Sequence, residues 1–206
     1  MRIVYVMDPM CSWCWGFDPI WRQFQNLIAK DAITSNIVMG GLAPDSDQPM
    51  DSNMQAYVQR AWQQVSARTG ASFNHDFWHK NQPRRSTWQA CRAVLAAESI
   101  LPGSKERMIS AIQSAYYEEA RNPSELSVLI SLAGEIDLPE SRFHNVLTSH
   151  EIEEKLQQDF QYRDRMGVQG FPALLYEKQD SVSLLSHGYL DFTTLQQRWE
   201  MLREKY

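Results

Sequence analysis

The sequence predicts an α/β fold on a mixed sheet in the order β-α-β, an all-helical insertion, then β-β-α. Three observations carry this prediction. Ile3-Val4-Tyr5-Val6 is a short apolar, partly β-branched run; Phe17, Ile20, Trp21, Phe24, Leu27 and Ile28 then recur at helical spacing, and Ile37-Val38-Met39 follows as a second apolar run. From about residue 50 to residue 166 the apolar positions keep a helical period with no β run. Ala173-Leu174-Leu175-Tyr176 and Val182-Ser183-Leu184-Leu185 then flank the polar turn Glu177-Lys178-Gln179-Asp180, which reads as a hairpin.

At 206 residues and 43% hydrophobic composition, the chain can bury a sizeable core and reads as one domain with a large insertion. The boundaries expected are 1–44 and 166–206 for the sheet domain and 45–165 for the helical insertion. A formal charge of -5, from 20 basic and 25 acidic residues with no basic block, excludes the electrostatic footprint of nucleic acid or of an anionic membrane surface. The first strand follows Met1 and Arg2 directly and no apolar run is long enough to span a bilayer, so a cytoplasmic protein is expected. Three cysteines do not make a disulfide framework, and in a reducing compartment a C-x-x-C pair points to redox chemistry or metal.

Taken in order, the first strand and helix are joined by Met7-Asp8-Pro9-Met10-Cys11, and Pro19 inside the helical pattern predicts a kink. Gly40-Gly41 stops the second strand, and Ala43-Pro44-Asp45-Ser46-Asp47-Gln48-Pro49 reads as a loop leaving the sheet. Met54, Tyr57, Val58, Ala61, Trp62 and Val65 share one helix face, with Gly70 past its end. Trp88, Cys91, Val94 and Leu95 mark a helix begun at Ser86 and stopped by Pro102-Gly103; Met108, Ile109, Ile112, Ala115 and Tyr116 mark the next. Asn122-Pro123-Ser124-Glu125 has the cap, proline and glutamate of a helix start before Leu126, Leu129, Ile130 and Ala133. A short helix around Phe143, Val146 and Leu147 precedes one through Ile152, Leu156 and Phe160, and a last helix is capped by Asp191 and carries Leu195, Trp199 and Leu202.

Cys11-Ser12-Trp13-Cys14 lies at a helix start, where unpaired N–H groups and the helix dipole favour a thiolate. Two thiols at this spacing can close into a disulfide, and a deprotonated first thiol can attack another disulfide. Cys11 is the expected attacking sulfur and Cys14, one turn in, the resolving one. The competing reading, half of a zinc site, needs two further ligands; there is no second C-x-x-C, and Cys91 and the five histidines offer no partner motif. His75 and His79, four apart, read as polar surface, and Cys91 fits an apolar helix stripe as a buried thiol. Trp15, Phe17 and Trp21 read as core, whereas Trp13, inside the motif, is expected near Cys11 as an apolar face for substrate.

With Gly170-Phe171-Pro172 before the third strand, this pattern resembles the DsbA-like group of the thioredoxin superfamily, whose helical insertion lies between strands 2 and 3. Asp8-Pro9-Met10-Cys11-Ser12-Trp13-Cys14-Trp15-Gly16 is most similar to its cytoplasmic, FrnE-like branch of predicted protein-disulfide isomerases. The resemblance covers essentially the whole chain. It implies a thioredoxin-like fold, a cis Pro172 against the cysteines and Phe171 facing the substrate. It also implies thiol–disulfide oxidoreductase activity, as oxidase, reductase or isomerase, on a thiol- or disulfide-containing protein or a small thiol. No cofactor or metal is expected, with glutathione as an optional co-substrate; the oligomeric state stays open. Two departures are visible: Ser12-Trp13 supplies no histidine charge, and Tyr5 stands where relatives carry a buried acid. Asp8 is the nearest carboxylate and reads as a turn residue or a proton relay. Arg84-Arg85 reads as a solvated helix start. Two alternatives remain: a glutathione-dependent isomerase or transferase of the kappa-class and hydroxychromene carboxylate isomerase kind, which carries serine at the place of Cys11, and a redox-inert binding or chaperone module.

Overall fold

The computed structural model describes residues 1–179 and 181–204. Four strands, β1 (Arg2–Met7), β2 (Thr34–Met39), β3 (Ala173–Lys178) and β4 (Ser181–His187), form one sheet in the order β2-β1-β3-β4. β1 runs parallel to β2 and antiparallel to β3, and β3 pairs antiparallel with β4 with a register shift between Leu174 and Leu175. β1 is buried on both faces because its side chains alternate. Ile3, Tyr5 and Met7 join the main core, while Val4 and Val6 meet Val38, Ala173 and Leu175 in a second, smaller one.

α1 (Ser12–Ala29) crosses between the two parallel strands and sends Cys14, Phe17, Trp21, Phe24 and Ile28 into the main core. It runs on through Pro19 as one element. Between β2 and β3 lie α2 (Ser52–Thr69), α3 (Phe77–Lys80), α4 (Trp88–Ile100), α5 (Lys105–Tyr117), α6 (Leu126–Glu135), α7 (Glu140–Leu147) and α8 (His150–Arg165). α9 (Phe192–Glu204) closes the described chain, its first turn bonded to Asp191 through Thr194 N at 2.9 Å.

α2 begins where Asp51 accepts from Met54 N at 2.8 Å and ends at Gly70, whose left-handed φ of 77° favours glycine. It approaches α1 closely at Gly16, where a Cβ would come within 2.8 Å of Val65. This contact sets the insertion beside the start of α1.

Several local expectations are corrected. The short helix α3 has no counterpart in the apolar pattern, being only four residues long. The segment Asn122 to Glu125 is a turn, and α6 starts at Leu126, because Asn122 Oδ1 accepts from both Ser124 N (3.1 Å) and Ser124 Oγ (2.9 Å) and so satisfies itself before the helix. Tyr57 is exposed, not on the buried face of α2, and α4 starts at Trp88 instead of Ser86. Asp180, placed in the hairpin turn from sequence, lies outside the described residues. Among the described residues no helix is long and apolar enough to cross a membrane.

Candidate active site

β1 ends at Met7, and the chain turns at once. Asp8 O accepts from Cys11 N at 3.0 Å and Asp8 Oδ1 from Met10 N at 2.8 Å, which fixes Cys11 as the residue capping α1. Cys11 O takes the first helical bond, from Trp15 N at 3.0 Å, so the N–H groups of the first turn have no partner within the helix. Cys11 is 6% exposed and Cys14 is fully buried; both thiols are free. Burial, then the hydrogen bond and the charge of Cys11, push the Cys14 thiol well above its ordinary range.

From the far end of the sequence, Phe171 brings its carbonyl oxygen to 3.8 Å from Cys11 Sγ, which donates to it. The Phe171–Pro172 bond is cis, and Pro172 is buried. Phe171 is seated against Gly40, where any Cβ would fall 2.2 Å from its ring. Trp13 is half-buried against Tyr189, ring centroids 5.9 Å apart. Together with Phe171, Gly188, Gln64 and Arg68 these two rings line an open pocket of about 480 Å³, which shares Phe171 with the Cys11 thiol. Arg68 lies over the Tyr189 ring at 5.9 Å and is the cation of that pocket.

Under the turn, Asp8 is fully buried among donors. Its Oδ2 accepts from Leu42 N (2.6 Å), Thr87 Oγ1 (2.6 Å) and Cys91 Sγ (3.5 Å). Burial pushes the Asp8 carboxyl up, and these bonds hold it back down. The phenol of Tyr5 is buried beside the cysteines, pushed well above its ordinary value first by burial and then by the charge of Cys14.

A thioredoxin family model matches residues 4–194. The chain belongs to the thioredoxin family, with the fold of DsbA-like oxidoreductases. A candidate protein disulfide isomerase from Nitrosomonas europaea superposes with a TM-score of 0.88 at 30% identity, covering 100% of this chain and 98% of that one. The cytosolic disulfide reductase DsbM from Pseudomonas aeruginosa has the same fold, with a TM-score of 0.77 at 23% identity and the same coverage. The ClpXP adapter protein SpxH of Bacillus subtilis is 25% identical over 179 residues, 85% of this chain and 58% of that protein. The chain therefore spans little more than half the length of the curated relatives it matches.

Within this DsbA-like fold, Cys11, Trp13, Cys14, Phe171 and Pro172 converge on one end of α1. Trp15 is half-buried instead of core; its Nε1 donates to Ser72 O at 3.0 Å and its ring stacks on Tyr117 at 5.6 Å, tying α1 to α5. Arg84 is not a solvated side chain. It is 19% exposed and pairs with Glu125 at 2.8 Å and Asp47 at 3.4 Å, because the loop after β2 folds back against it, bridging Pro49 to Arg84. His75 and His79 are both exposed, and among the described residues no group of three or more metal-ligating side chains is gathered. Cys91 is buried, and it sits on the Asp8 carboxylate. Sequence reasoning missed the Asp8–Thr87–Cys91 cluster. Asp8 stands 79 and 83 positions from Thr87 and Cys91, so no local spacing could signal it.

Proposed function

We propose that this chain is a thiol–disulfide oxidoreductase in which Cys11 attacks and Cys14 resolves. The observation that carries this reading is the placement of Cys11 at the start of α1 with its sulfur on the carbonyl of Phe171, a residue that also lines the Trp13–Tyr189 pocket. In the reaction, Cys11 attacks a substrate disulfide and forms a mixed disulfide as the first substrate sulfur leaves; Cys14 then attacks Cys11 and releases the second. Two electrons pass to the substrate and the Cys11–Cys14 pair becomes a disulfide. Run backwards, the same steps oxidise a dithiol, and an incomplete cycle isomerises.

In this reading Trp13, Phe171 and Pro172 form the substrate edge, where an extended polypeptide or a small thiol lies. The name of DsbM, and its structure with GSH, support glutathione as a co-substrate and a cytoplasmic setting. The test is a chain carrying Cys14→Ser, incubated with a disulfide substrate and analysed by non-reducing electrophoresis and mass spectrometry. The expected outcome is a mixed disulfide through Cys11 that Cys11→Ser abolishes. Its absence would favour a binding module of the adapter kind or a glutathione-dependent isomerase.

A further inference from the structure

If the chain works through Cys11 and Cys14 as proposed above, the second step requires Cys14 to lose a proton, and full burial opposes that loss. Against Cys14 lies a cavity of about 20 Å³, room for about one water, bordered also by Tyr5, Trp21, Gln113, Asp18 and Arg22. Trp21 Nε1 and Gln113 Nε2 are buried and find no hydrogen-bond partner among the described residues, and the buried Tyr5 hydroxyl has only the Cys14 thiol beside it. Three polar partners is about what one internal water takes. Asp18 stands four residues after Cys14, so both occupy the same face of α1 at the cavity. The Asp18 carboxylate binds Arg22 Nε through Oδ2 at 2.8 Å, and its side chain remains 24% exposed, so it reaches from the cavity to solvent.

We propose that this cavity is a water site and that Asp18, through that water, takes the proton of Cys14 in the resolving step. As Cys14 Sγ attacks Cys11 Sγ of the mixed disulfide, its proton passes to the water and a proton of the water passes to Asp18. The Cys11–Cys14 bond forms while the bond from Cys11 to the substrate sulfur breaks. That sulfur leaves with the electron pair as a thiolate and takes a proton from solvent, and Asp18 returns its own to solvent. Of the two carboxylates that border the cavity, Asp18 is the one on α1 with Cys14, whereas Glu106 stands on α5. Arg22 also binds Ser110 Oγ at 3.0 Å, Glu106 Oε1 accepts from Gln25 Nε2 at 2.6 Å, and Asp8 is bound by the donors beneath the turn. Tyr5 stays a neutral phenol, because burial raises it.

The experiment mixes the reduced chain with oxidised glutathione, quenches with acid, and follows the mixed disulfide and the Cys11–Cys14 disulfide by mass from pH 6 to pH 9. Asp18→Asn is expected to slow resolution about tenfold to a hundredfold near pH 6, the range of general-base contributions. The variant's rate then climbs about tenfold per pH unit as hydroxide takes over, while the wild-type rate changes little over the same range. Formation of the mixed disulfide, measured with Cys14→Ser present, is unchanged by Asp18→Asn. The sign separates a proton acceptor from a bystander charge: removing a nearby negative charge eases ionisation of Cys14 and by itself speeds resolution. Resolution as fast as wild type, or faster, with an unaltered pH profile overturns the proposal and leaves the oxidoreductase reading standing. No mixed disulfide in Cys14→Ser sinks both.

Discussion

Asp8 gathers donors from four parts of the chain: the backbone of Met10 and of Leu42, the Thr87 hydroxyl and the Cys91 thiol. All four are donors, which is the environment of a carboxylate and of no other side chain its size. Thr87 extends the cluster by accepting from Ala43 N at 3.0 Å, so the loop after β2 and the start of α4 are held beneath the Cys11 turn by one acid. Asp8→Asn must turn an amide N–H₂ toward at least one of these donors. The expected outcome is a loss of about 1–3 kcal/mol, the cost of leaving a buried donor unpaired, seen as a lower urea midpoint with an unchanged slope. An unchanged midpoint would show that the acid does not hold the turn. At this scale the sequence was legible where chemistry is local: two cysteines, the tryptophan between them and a proline before a strand stand in a recognisable pattern. It was not legible where a residue's partners come from distant segments. Asp8 before Pro9 has every local mark of a turn residue, and it does make the turn; what makes it more is Thr87 and Cys91, which sequence spacing does not bring near it.

Among the elements, long periodic segments such as α1, α2 and α8 were readable because one face repeats, and β1 because a run of apolar residues fits a strand buried on both sides. The turn at Asn122 was not, because the same residue types cap a helix or close a turn, and only the observed bonds to Ser124 decide. The link between α8 and the sheet is of this second kind. Asp159 on α8 accepts from Met39 N at the end of β2 at 2.8 Å, just before the Gly40 that seats Phe171. Burial raises its carboxyl from 3.8 to about 6, against the pull of that bond and of Lys105. A raised acid binds its proton more tightly in the folded chain than in the unfolded one. Its contribution is therefore fully present below about pH 4 and is lost as pH rises through about 6. Asp159→Asn keeps an oxygen for Met39 N and carries no charge. It is expected to raise stability at pH 7 by about 1–2 kcal/mol, after allowing for solvent screening, and to flatten the pH dependence between 4 and 6. Thermal unfolding of both chains at pH 4.5 and pH 7 checks this; an equal shift at both pH values would assign the effect to something other than the proton.

For the whole molecule, the main core takes in side chains of β1, α1 and β3 together with those of α2, α4, α5, α6, α7 and α8, so the helical segment and the sheet bury their apolar surface against one another. The tie nearest the site is aromatic. Trp62 on α2 is 1% exposed and meets Phe73, Trp78, Tyr116 and Tyr117 with ring centroids 5.0–5.5 Å apart, and Tyr117 in turn stacks on Trp15, the residue after Cys14. A shared core of this kind makes the insertion and the sheet unfold together, because neither can separate without exposing the other's apolar face. Trp62→Ala is expected to cost about 3–5 kcal/mol, the range for truncating a large buried aromatic. The loss should fall on both parts alike. Native-state hydrogen exchange is the measurement: the opening free energies of amides in β1 and in α4 should drop by the same amount, although neither element contacts the other through Trp62. Loss of protection confined to α2 and α5, with β1 unchanged, would show two units that fold apart, and the site at the start of α1 would then rest on the sheet alone.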